Sequence, residues 1–353
     1  MGWMNKKAKT VVGVDFGSSV IKIVQLKQAH PLPQLVTFGL AEKIPGTQSS
    51  KSSTGRAQTA GVLTELLLQS RSYATQAVAA LPATSVFNAI VELPNMPKKD
   101  IGSAIQWEIK KTLPIPPEQM SLHWHLIEPA NQKTAGQSGA LQVIINATPK
   151  NIAGNYMEII KQSGLKLAAL ETEIKALQRS VLPADNGNYL VLDIGATNTN
   201  LIAFTDCLPL INRNLDLGME LISTNLVQKL GITREQADQA REASGLPLVQ
   251  TDIKPDQDII QSLIDVRLIR ELQHLLRELN QRYKKSVQKI FIIGGGARLK
   301  NITEYIALKS GLNASRPNPW EKISCPGELA PQLLANGPQM AVCIGLALQV
   351  MES

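Results

Sequence analysis

Two segments about half the chain apart share one pattern: an apolar run, an aspartate, a glycine and small polar residues, then a second apolar run. The first reads VVGVDFGSSVIKIVQL over residues 11–26, and the second reads YLVLDIGATNTNLIAF over residues 189–204. Each apolar run predicts a buried strand, and each glycine predicts a tight turn whose backbone N–H groups can cradle phosphate oxygens. Asp15 and Asp193, at the ends of these strands, are suited to hold a hydrated magnesium ion. One such hairpin is common in proteins, but two in register predict a duplicated domain.

A third glycine-rich element follows late in the chain. Residues 290–297 read IFIIGGGA, which predicts a strand that ends in three consecutive glycines, and residues 299–309 have a helical pattern. Three glycines allow a backbone to lie flat against a planar ligand such as adenine. The alternative is a strand-to-helix turn that needs a positive φ angle.

Composition and missing motifs exclude several classes of protein. The chain has 353 residues, of which 44% are hydrophobic and 18% charged, which is typical of a folded protein with more than one domain. It contains no P-loop, no GxGxxG after a strand, no GxSxG and no HExxH. Its three cysteines form no CxxC pair, so we expect neither a disulfide framework nor a zinc site.

Charge and hydropathy also limit the partners. The net charge of +7 would suit nucleic acid, but the basic residues are spread along the chain and there are only five Phe and five Tyr for base stacking. We therefore expect no nucleic-acid partner. No apolar stretch reaches the roughly 18 residues of a membrane-spanning helix, and no signal-peptide core follows the first lysines. We expect a cytoplasmic protein without direct membrane insertion.

The chain resembles the actin/Hsp70/sugar-kinase superfamily in having two hairpins whose turns could cradle phosphate, followed by a glycine-rich loop. Residues 15–22, DFGSSVIK, follow the Asp-x-Gly-Ser-x-x-x-Lys pattern of its actin branch. The resemblance implies an α/β fold of the actin-like ATPase type, with duplicated domains around a cleft that binds ATP or ADP with Mg²⁺. It also implies that Lys22 reaches the phosphates. The motifs and the resemblance together predict nucleotide contacts at Gly17, Ser18, Ser19, Lys22, Gly195, Ala196, Thr197, Asn198, Gly218, Gly294, Gly295, Gly296 and Ala297, and magnesium held through water by Asp15 and Asp193.

Further segments narrow the resemblance to one family. The chain is similar to the PilM family, the FtsA-related actin-like proteins of type IV pilus assembly, in VAALP (78–82), IVELPNMP (90–97), IQWEIKKTLPIP (105–116), VIINATP (143–149), GGARL (295–299), NPWEK (318–322) and AVCIGLA (341–347). It departs from the family where Gly218 is followed by Met219 instead of a second glycine, and where the helix around Glu271 lacks Arg-Ser. The family's Glu-Pro is here Glu171-Thr-Glu173.

The resemblance implies a nucleotide-binding scaffold at the inner-membrane platform of the pilus, peripheral to that membrane through a partner. The implied partner is the cytoplasmic N-terminal tail of the membrane protein PilN. Other platform proteins, the assembly ATPases and a second copy of this chain are further partners that the family allows. Two alternatives stay open at this point: a small-molecule kinase of the same superfamily, and an FtsA-like filament protein at the membrane. We expect no anchor of the FtsA type, because no separate amphipathic helix follows the last helical run.

The domain organisation is predicted on the same basis. Residues 1–82 and 166–188 form the first actin-like domain, and residues 83–165 form an inserted subdomain of the FtsA type. Residues 189–353 form the second domain, with its outer part at about 226–285. Residues 47–56 are rich in Ser and Thr and predict a loop, and residues 339–351 predict the last helix.

Two functional assignments complete the predictions. The insertion is expected to dock the PilN tail, because it carries more apolar and aromatic residues than a nucleotide cleft needs: Val86, Ile90, Leu93, Met96, Ile105 and Trp107. Glu173 is the candidate for activating a water molecule, and an ion pair is the alternative role for this side chain. The sequence leaves open whether nucleotide is hydrolysed.

Overall fold

The computed structural model describes residues 9–43, 52–110, 116–127, 141–249 and 253–351. Its strands are β1 (Thr10–Phe16), β2 (Val20–Lys27), β3 (Gln34–Glu42), β4 (Gln76–Leu81), β5 (Phe87–Leu93), β6 (Met120–Ile127), β7 (Leu141–Pro149), β8 (Lys166–Thr172), β9 (Asn188–Ile194), β10 (Thr199–Thr205), β11 (Leu208–Leu215), β12 (Lys289–Ile293) and β13 (Ala314–Ser315). Its α-helices are α1 (Ser53–Gln69), α2 (Lys98–Ile109), α3 (Lys150–Gln162), α4 (Glu173–Val181), α5 (Met219–Leu230), α6 (Arg234–Ser244), α7 (Pro255–Leu263), α8 (Arg270–Arg282), α9 (Ile302–Ser310) and α10 (Ala330–Gln349). A π-helical segment, Ile264–Ile269, joins α7 to α8.

Two five-stranded sheets repeat the same topology. The first has the order β3-β2-β1-β4-β8, and the second has the order β11-β10-β9-β12-β13. In each sheet an antiparallel hairpin is followed by a parallel strand beside its first member, β4 beside β1 and β12 beside β9. The repeat confirms the duplicated α/β fold that the paired sequence segments predict.

The strands of both hairpins are apolar on both faces because helices cover both faces of each sheet. In the first sheet, Val12 and Val14 face a core shared with α1 and α3, while Val11 faces a core shared with α4 and α10. The second sheet contributes Val191 to that latter core. Helices α4 and α10 therefore lie between the two sheets and join them through one continuous apolar core.

The approach between these two central helices is close. Gly345 of α10 lies so near α4 that a Cβ atom added to it would be 1.9 Å from the carbonyl oxygen of Ala176. Arg179 of α4 fixes the same region, since its guanidinium donates to the Gly345 carbonyl at 2.6 Å and pairs with Glu171 at 3.1 Å. The two domains are thus connected by a tightly packed pair of helices beneath the cleft.

A third sheet, of order β5-β7-β6, forms the inserted layer and packs on α2. Its core includes Leu93 and Ile105. Helix α3, which lies within the predicted insertion 83–165, instead places Tyr156 and Ile159 in the core of the first domain beside α1. The three-stranded sheet and α2 therefore have a core of their own, whereas α3 shares the core of the first sheet.

Two predicted boundaries are wrong for identifiable reasons. Residues 53–56 belong to α1 and not to a loop, because the Ser52 hydroxyl accepts from the Gly55 N–H and caps the helix there; residues 47–51 of that predicted loop lie outside the described residues. The last helix begins at Ala330 and not at residue 339, although Pro338 lies inside it. Proline usually ends a helix, but here Leu333 and Met340 are both buried and hold the turns on either side of it.

In the part of the chain that the structure describes, none of the helices combines the length and the hydrophobicity needed to cross a bilayer.

Candidate functional site

The turns of the two hairpins open into one cleft of about 400 Å³ between the sheets. The turn at residues 17–19 connects β1 to β2, and the turn at residues 195–198 connects β9 to β10. The strand-to-helix connection after β12 forms a third wall. Three segments that are far apart in the sequence therefore meet at one place, as their shared glycine-rich pattern predicts.

Most of the predicted site residues lie in this cleft, and three do not. Those that line it are Asp15, Gly17, Ser18, Ser19, Lys22, Glu173, Asp193, Gly195, Ala196, Thr197, Asn198, Gly294 and Gly295. Gly218 lies behind the second turn, where the next residues, Met219 and Glu220, donate their N–H groups to the carbonyls of Gly195 and Ala196 at 3.2 and 2.8 Å. Gly296 and Ala297 are buried in the turn after β12. These three residues support the walls of the cleft and do not line it.

The first hairpin brings an aspartate and a lysine together by strand register. Asp15 and Lys22 face each other across β1 and β2, and the Lys22 Nζ atom donates to Asp15 Oδ2 at 2.8 Å. Burial alone would lower the pKa of Lys22, but attraction to Asp15 raises it above its ordinary value. Lys22 is therefore a permanent cation in the cleft, and its charge is compensated by Asp15.

Two further carboxyl groups in the cleft hold their protons unusually well. Burial raises the pKa of Asp193 to about 6; Lys22 opposes this rise and Asp15 adds to it. Burial also raises the pKa of Glu173 to about 8, with repulsion from Asp15 and Asp193 as the next causes. The backbone N–H of Ala83 donates to Glu173 Oε2 at 2.8 Å and partly offsets this rise. Burial and the neighbouring negative charges thus make ionisation of both Asp193 and Glu173 costly.

The donor set fits a magnesium ion that keeps its water ligands. The Oδ1 atom of Asp15 is buried and has no hydrogen-bond partner among the described residues. Gly294, at φ +82°, lies so close to Asp193 that an added Cβ would be 2.5 Å from its Oδ1 atom. The described residues contain no group of three or more His, Cys, Asp or Glu side chains placed to hold a metal directly. Two aspartates without a full protein cage match the preference of Mg²⁺ for a few carboxylates and retained waters.

The cleft also contains residues that the sequence motifs do not predict. Asn200 occupies the register position opposite Asp193 that Lys22 occupies opposite Asp15. Lys43, directly after β3, also lines the cleft. The repeat itself could have indicated Asn200, since it follows Asp193 at the same spacing as Lys22 follows Asp15. Lys43 requires the pairing of β2 with β3, which no local motif specifies.

A smaller pocket of about 130 Å³ adjoins the cleft and shares Gly295 and Gln339 with it. Arg241 and Glu242 of α6 form another wall. Arg241 is held in place by donating to the carbonyl oxygen of Met219 at 3.1 Å and to the Ser223 hydroxyl at 2.9 Å. The helix around Glu271, where the family's Arg-Ser is missing, does not contribute to this pocket. Its polar side chains come from Arg241 and Glu242 of α6 and from Arg298 and Gln339.

One hydrogen bond crosses the cleft between the domains. The Ser19 hydroxyl, on the turn of the first hairpin, donates to Glu220 Oε1 at 2.5 Å. Glu220 lies in the first turn of α5, in the second domain. Because the N–H of Glu220 also donates to the Ala196 carbonyl, the turns at 17–19 and 195–198 are held at the same end of the cleft.

Comparison with known proteins agrees with this architecture. A family model described as "Type IV pilus assembly protein PilM" matches residues 13–351 of the chain. The chain belongs to the PilM family. Among solved structures, it is similar to the "PilM-PilN type IV pilus biogenesis complex", with a TM-score of 0.80 and 24% identity over 97% of this chain and 99% of that one.

Two other structures share the fold at greater distance. The ethanolamine utilization protein EutJ from Carboxydothermus hydrogenoformans matches with a TM-score of 0.57 and 16% identity over 96% of this chain and 89% of that one. MreB 5 of Spiroplasma citri bound to AMPPNP matches with a TM-score of 0.53 and 11% identity over 98% and 96%. The likeness of this PilM family member to these proteins confirms the actin-like fold predicted from the two hairpins.

Proposed function

We propose that this chain is a nucleotide-binding scaffold of type IV pilus assembly. It binds ATP or ADP with Mg²⁺ in the interdomain cleft, and it binds the cytoplasmic N-terminal tail of the membrane protein PilN. PilN would hold it at the cytoplasmic face of the inner membrane. The observation that carries the nucleotide part is the pair of like turns, one on each sheet, that open into one cleft of about 400 Å³.

The arrangement of the cleft supports a specific orientation of the nucleotide. The turns at 17–19 and 195–198 line opposite sides of the cleft, and their backbone N–H groups could donate to phosphate oxygens. The exception is the N–H of Gly195, which already donates to the Asn198 carbonyl oxygen at 2.9 Å. Asp15 and Asp193 would hold magnesium through water, and the ion would neutralise part of the phosphate charge. Gly294 and Gly295 lead to the smaller pocket beside α6, which suits the nucleoside end.

The PilN part is supported by family membership and by the similarity to a structure of a PilM–PilN complex. Most of the residues first considered for docking are occupied elsewhere: Val86, Leu93 and Ile105 are buried in cores, and Met96 is partly buried. The side chain of Ile90 lies outside the described residues. Trp107 on α2 is 67% exposed, and Phe87 on β5 is 43% exposed. We propose that these aromatic side chains contact the tail, because they are large apolar side chains that stay exposed on the inserted layer expected to dock it.

Strand register allows a deletion that tests this docking site cleanly. Phe87 of β5 and Ala147 of β7 are antiparallel register partners, so their Cα atoms are about 5 Å apart. Residues 88–146 can therefore be replaced by a two-residue hairpin turn. This deletion leaves α3 in the core of the first domain, whereas removal of 83–165 would also remove Tyr156 and Ile159 from that core.

The experiment measures binding of a synthetic PilN N-terminal peptide by titration calorimetry. The full chain is expected to bind with a dissociation constant of micromolar or tighter, about 8 kcal/mol. The deletion variant is expected to lose most of the affinity for the peptide, because it removes Trp107 and keeps only Phe87 of the two proposed contacts, and to keep ATP binding. Trp107→Ala is expected to weaken the peptide about tenfold or more, while Leu308→Ala, equally exposed on α9 of the second domain, serves as the matched control. Full peptide affinity in the deletion variant would place the docking site outside the inserted layer.

A further inference from the structure

Lys43 is a cation in the cleft whose charge has no counterion among the described residues. It follows β3 directly, lines the cleft and is partly buried. The neighbouring Lys22 is bound to Asp15 at 2.8 Å, whereas the Lys43 ammonium has neither an ion pair nor a side-chain hydrogen bond within the described part of the chain. The two lysines of the cleft therefore differ: one is compensated and the other is not.

The backbone fixes Lys43 beside the turn at residues 17–19. Its N–H donates to the carbonyl oxygen of Ser19 at 2.8 Å. Because Val20 and Glu42 are register partners in the β2–β3 ladder, Lys43 continues that ladder by one residue toward the turn. The side chain of Lys43 thus starts from a fixed position next to the residues that would contact phosphate.

The surroundings of Lys43 disfavour an isolated charge. Burial lowers the pKa of Lys43, attraction to Asp15 partly offsets this, and repulsion from Lys22 adds to the lowering. A buried cation is costly unless an anion compensates it. Asp15 is already bound to Lys22, so an anionic ligand is the natural counterion for Lys43.

The charge balance of the cleft points to the terminal phosphate of a triphosphate. Beside the turn at residues 17–19, Lys22 and Asp15 cancel each other and Lys43 supplies the remaining positive charge. The other carboxyl groups of the cleft, Asp193 and Glu173, lie on β9 and α4. A triphosphate carries one more negative charge than a diphosphate. We propose that Lys43 binds the terminal phosphate of a bound nucleoside triphosphate as a point charge and makes the cleft prefer ATP to ADP. This inference rests on the proposed nucleotide function and adds to it a residue that discriminates between the two nucleotides.

The test compares Lys43→Met with Lys43→Arg and with the control Lys27→Met. Lys27 is an exposed lysine at the end of β2. Affinities for ATP, ADP and adenosine are measured by calorimetry in the presence of Mg²⁺, with AMPPNP in place of ATP if turnover occurs. Lys43→Met is expected to weaken the affinity for ATP about tenfold or more, which equals about 1.4 kcal/mol or more. Its affinity for ADP is expected to fall by less than about threefold. Adenosine affinity is expected to stay unchanged, and Lys43→Arg, which keeps the charge, is expected to retain the preference for ATP.

Thermal unfolding without ligand is a second measurement, because a ligand-binding role and a structural role of Lys43 predict opposite changes in the unfolding temperature of Lys43→Met. Lys43→Met removes an uncompensated charge, so it is expected to unfold at the same temperature as the wild type or at a higher one. A clear decrease in the unfolding temperature would show that Lys43 supports the fold and would contradict a ligand-binding role.

The outcomes separate this inference from the function on which it rests. If the wild type binds ATP and ADP but Lys43→Met leaves their affinity ratio unchanged, the role of Lys43 is refuted while the nucleotide site stands. If the wild type binds neither ATP nor ADP, the proposed nucleotide function fails, and the inference about Lys43 fails with it.

Discussion

Replacing Glu173 by glutamine tests the electrostatics of the cleft without a ligand. Glu173 is the first residue of α4, and its carboxyl group accepts the Ala83 N–H at 2.8 Å. Glutamine has nearly the same shape and keeps an acceptor oxygen for this bond, but it cannot ionise. The substitution therefore removes only the ability of this position to carry a negative charge near Asp15 and Asp193.

The magnitude follows from the shift of the pKa of Glu173 from its ordinary value of 4.5 to about 8. Between these two values the folded state holds a proton that the unfolded state releases, so stability falls as pH rises. One pKa unit corresponds to about 1.4 kcal/mol. Glu173 should therefore cost the wild type about 3–5 kcal/mol of unfolding free energy between acidic pH, below 4.5, and alkaline pH, above about 8. Glu173→Gln should not show this loss.

Urea unfolding without ligand at about pH 5.5 and about pH 8.5 measures the difference. The variant is expected to be more stable than the wild type by about 1.4 kcal/mol at the lower pH, where the unfolded state has already released this proton, and by about 4–5 kcal/mol at the higher pH. Glu304→Gln, at an exposed position of α9, is the matched control and should show no comparable pH dependence. An equal stability difference between Glu173→Gln and the wild type at both pH values would refute the raised pKa of Glu173 in the folded state.

Two further substitutions test how the cleft and its support are built. Lys22→Met should lower the unfolding free energy measured in urea by about 3 kcal/mol, because it leaves the carboxylate of Asp15 buried without a partner. Adding Asp15→Asn should recover at least half of this loss. If it recovers none, the stabilising ion pair between Lys22 and Asp15 is contradicted. Gly345→Ala should lower the unfolding free energy by about 3 kcal/mol or more, because its Cβ would lie 1.9 Å from the Ala176 carbonyl oxygen and force α4 and α10 apart. An unchanged unfolding temperature in a thermal scan would contradict this close approach.

Local sequence patterns predicted the two like hairpins and most walls of the cleft, and the family resemblance implied the actin-like fold. The segments around Asp15 and Asp193 each contain their own strand, turn and return strand, so a short window specifies both the hairpin and the position of its aspartate. Their repetition half a chain apart specifies two like domains, and the family resemblance adds the inserted layer. Which of the lining residues contact a ligand stays a prediction.

The features that the sequence did not reveal depend on contacts between distant elements. The amphipathic pattern of α3 shows that one face is buried but not against which core, and the structure places it beside α1. Pro338 indicates a helix boundary locally, but burial on both sides of it keeps α10 continuous. Lys43 reaches the cleft through the register of β2 with β3. Gly218 belongs to the family's glycine motif, yet it lies behind the turn and not in the cleft.

Titration calorimetry of Mg²⁺ and ATP on the wild type and on Asp193→Asn tests the central claim most directly. Asp193 is the better position for this purpose, since Asp15→Asn would also leave Lys22 unpaired. The wild type is expected to bind, and Asp193→Asn is expected to bind at least about tenfold more weakly, a loss of about 1.4 kcal/mol or more. Asp258→Asn, at an exposed position of α7, should match the wild type. Unchanged affinity in a folded Asp193→Asn variant, or no binding by the wild type, would contradict a magnesium-nucleotide site between the two hairpins.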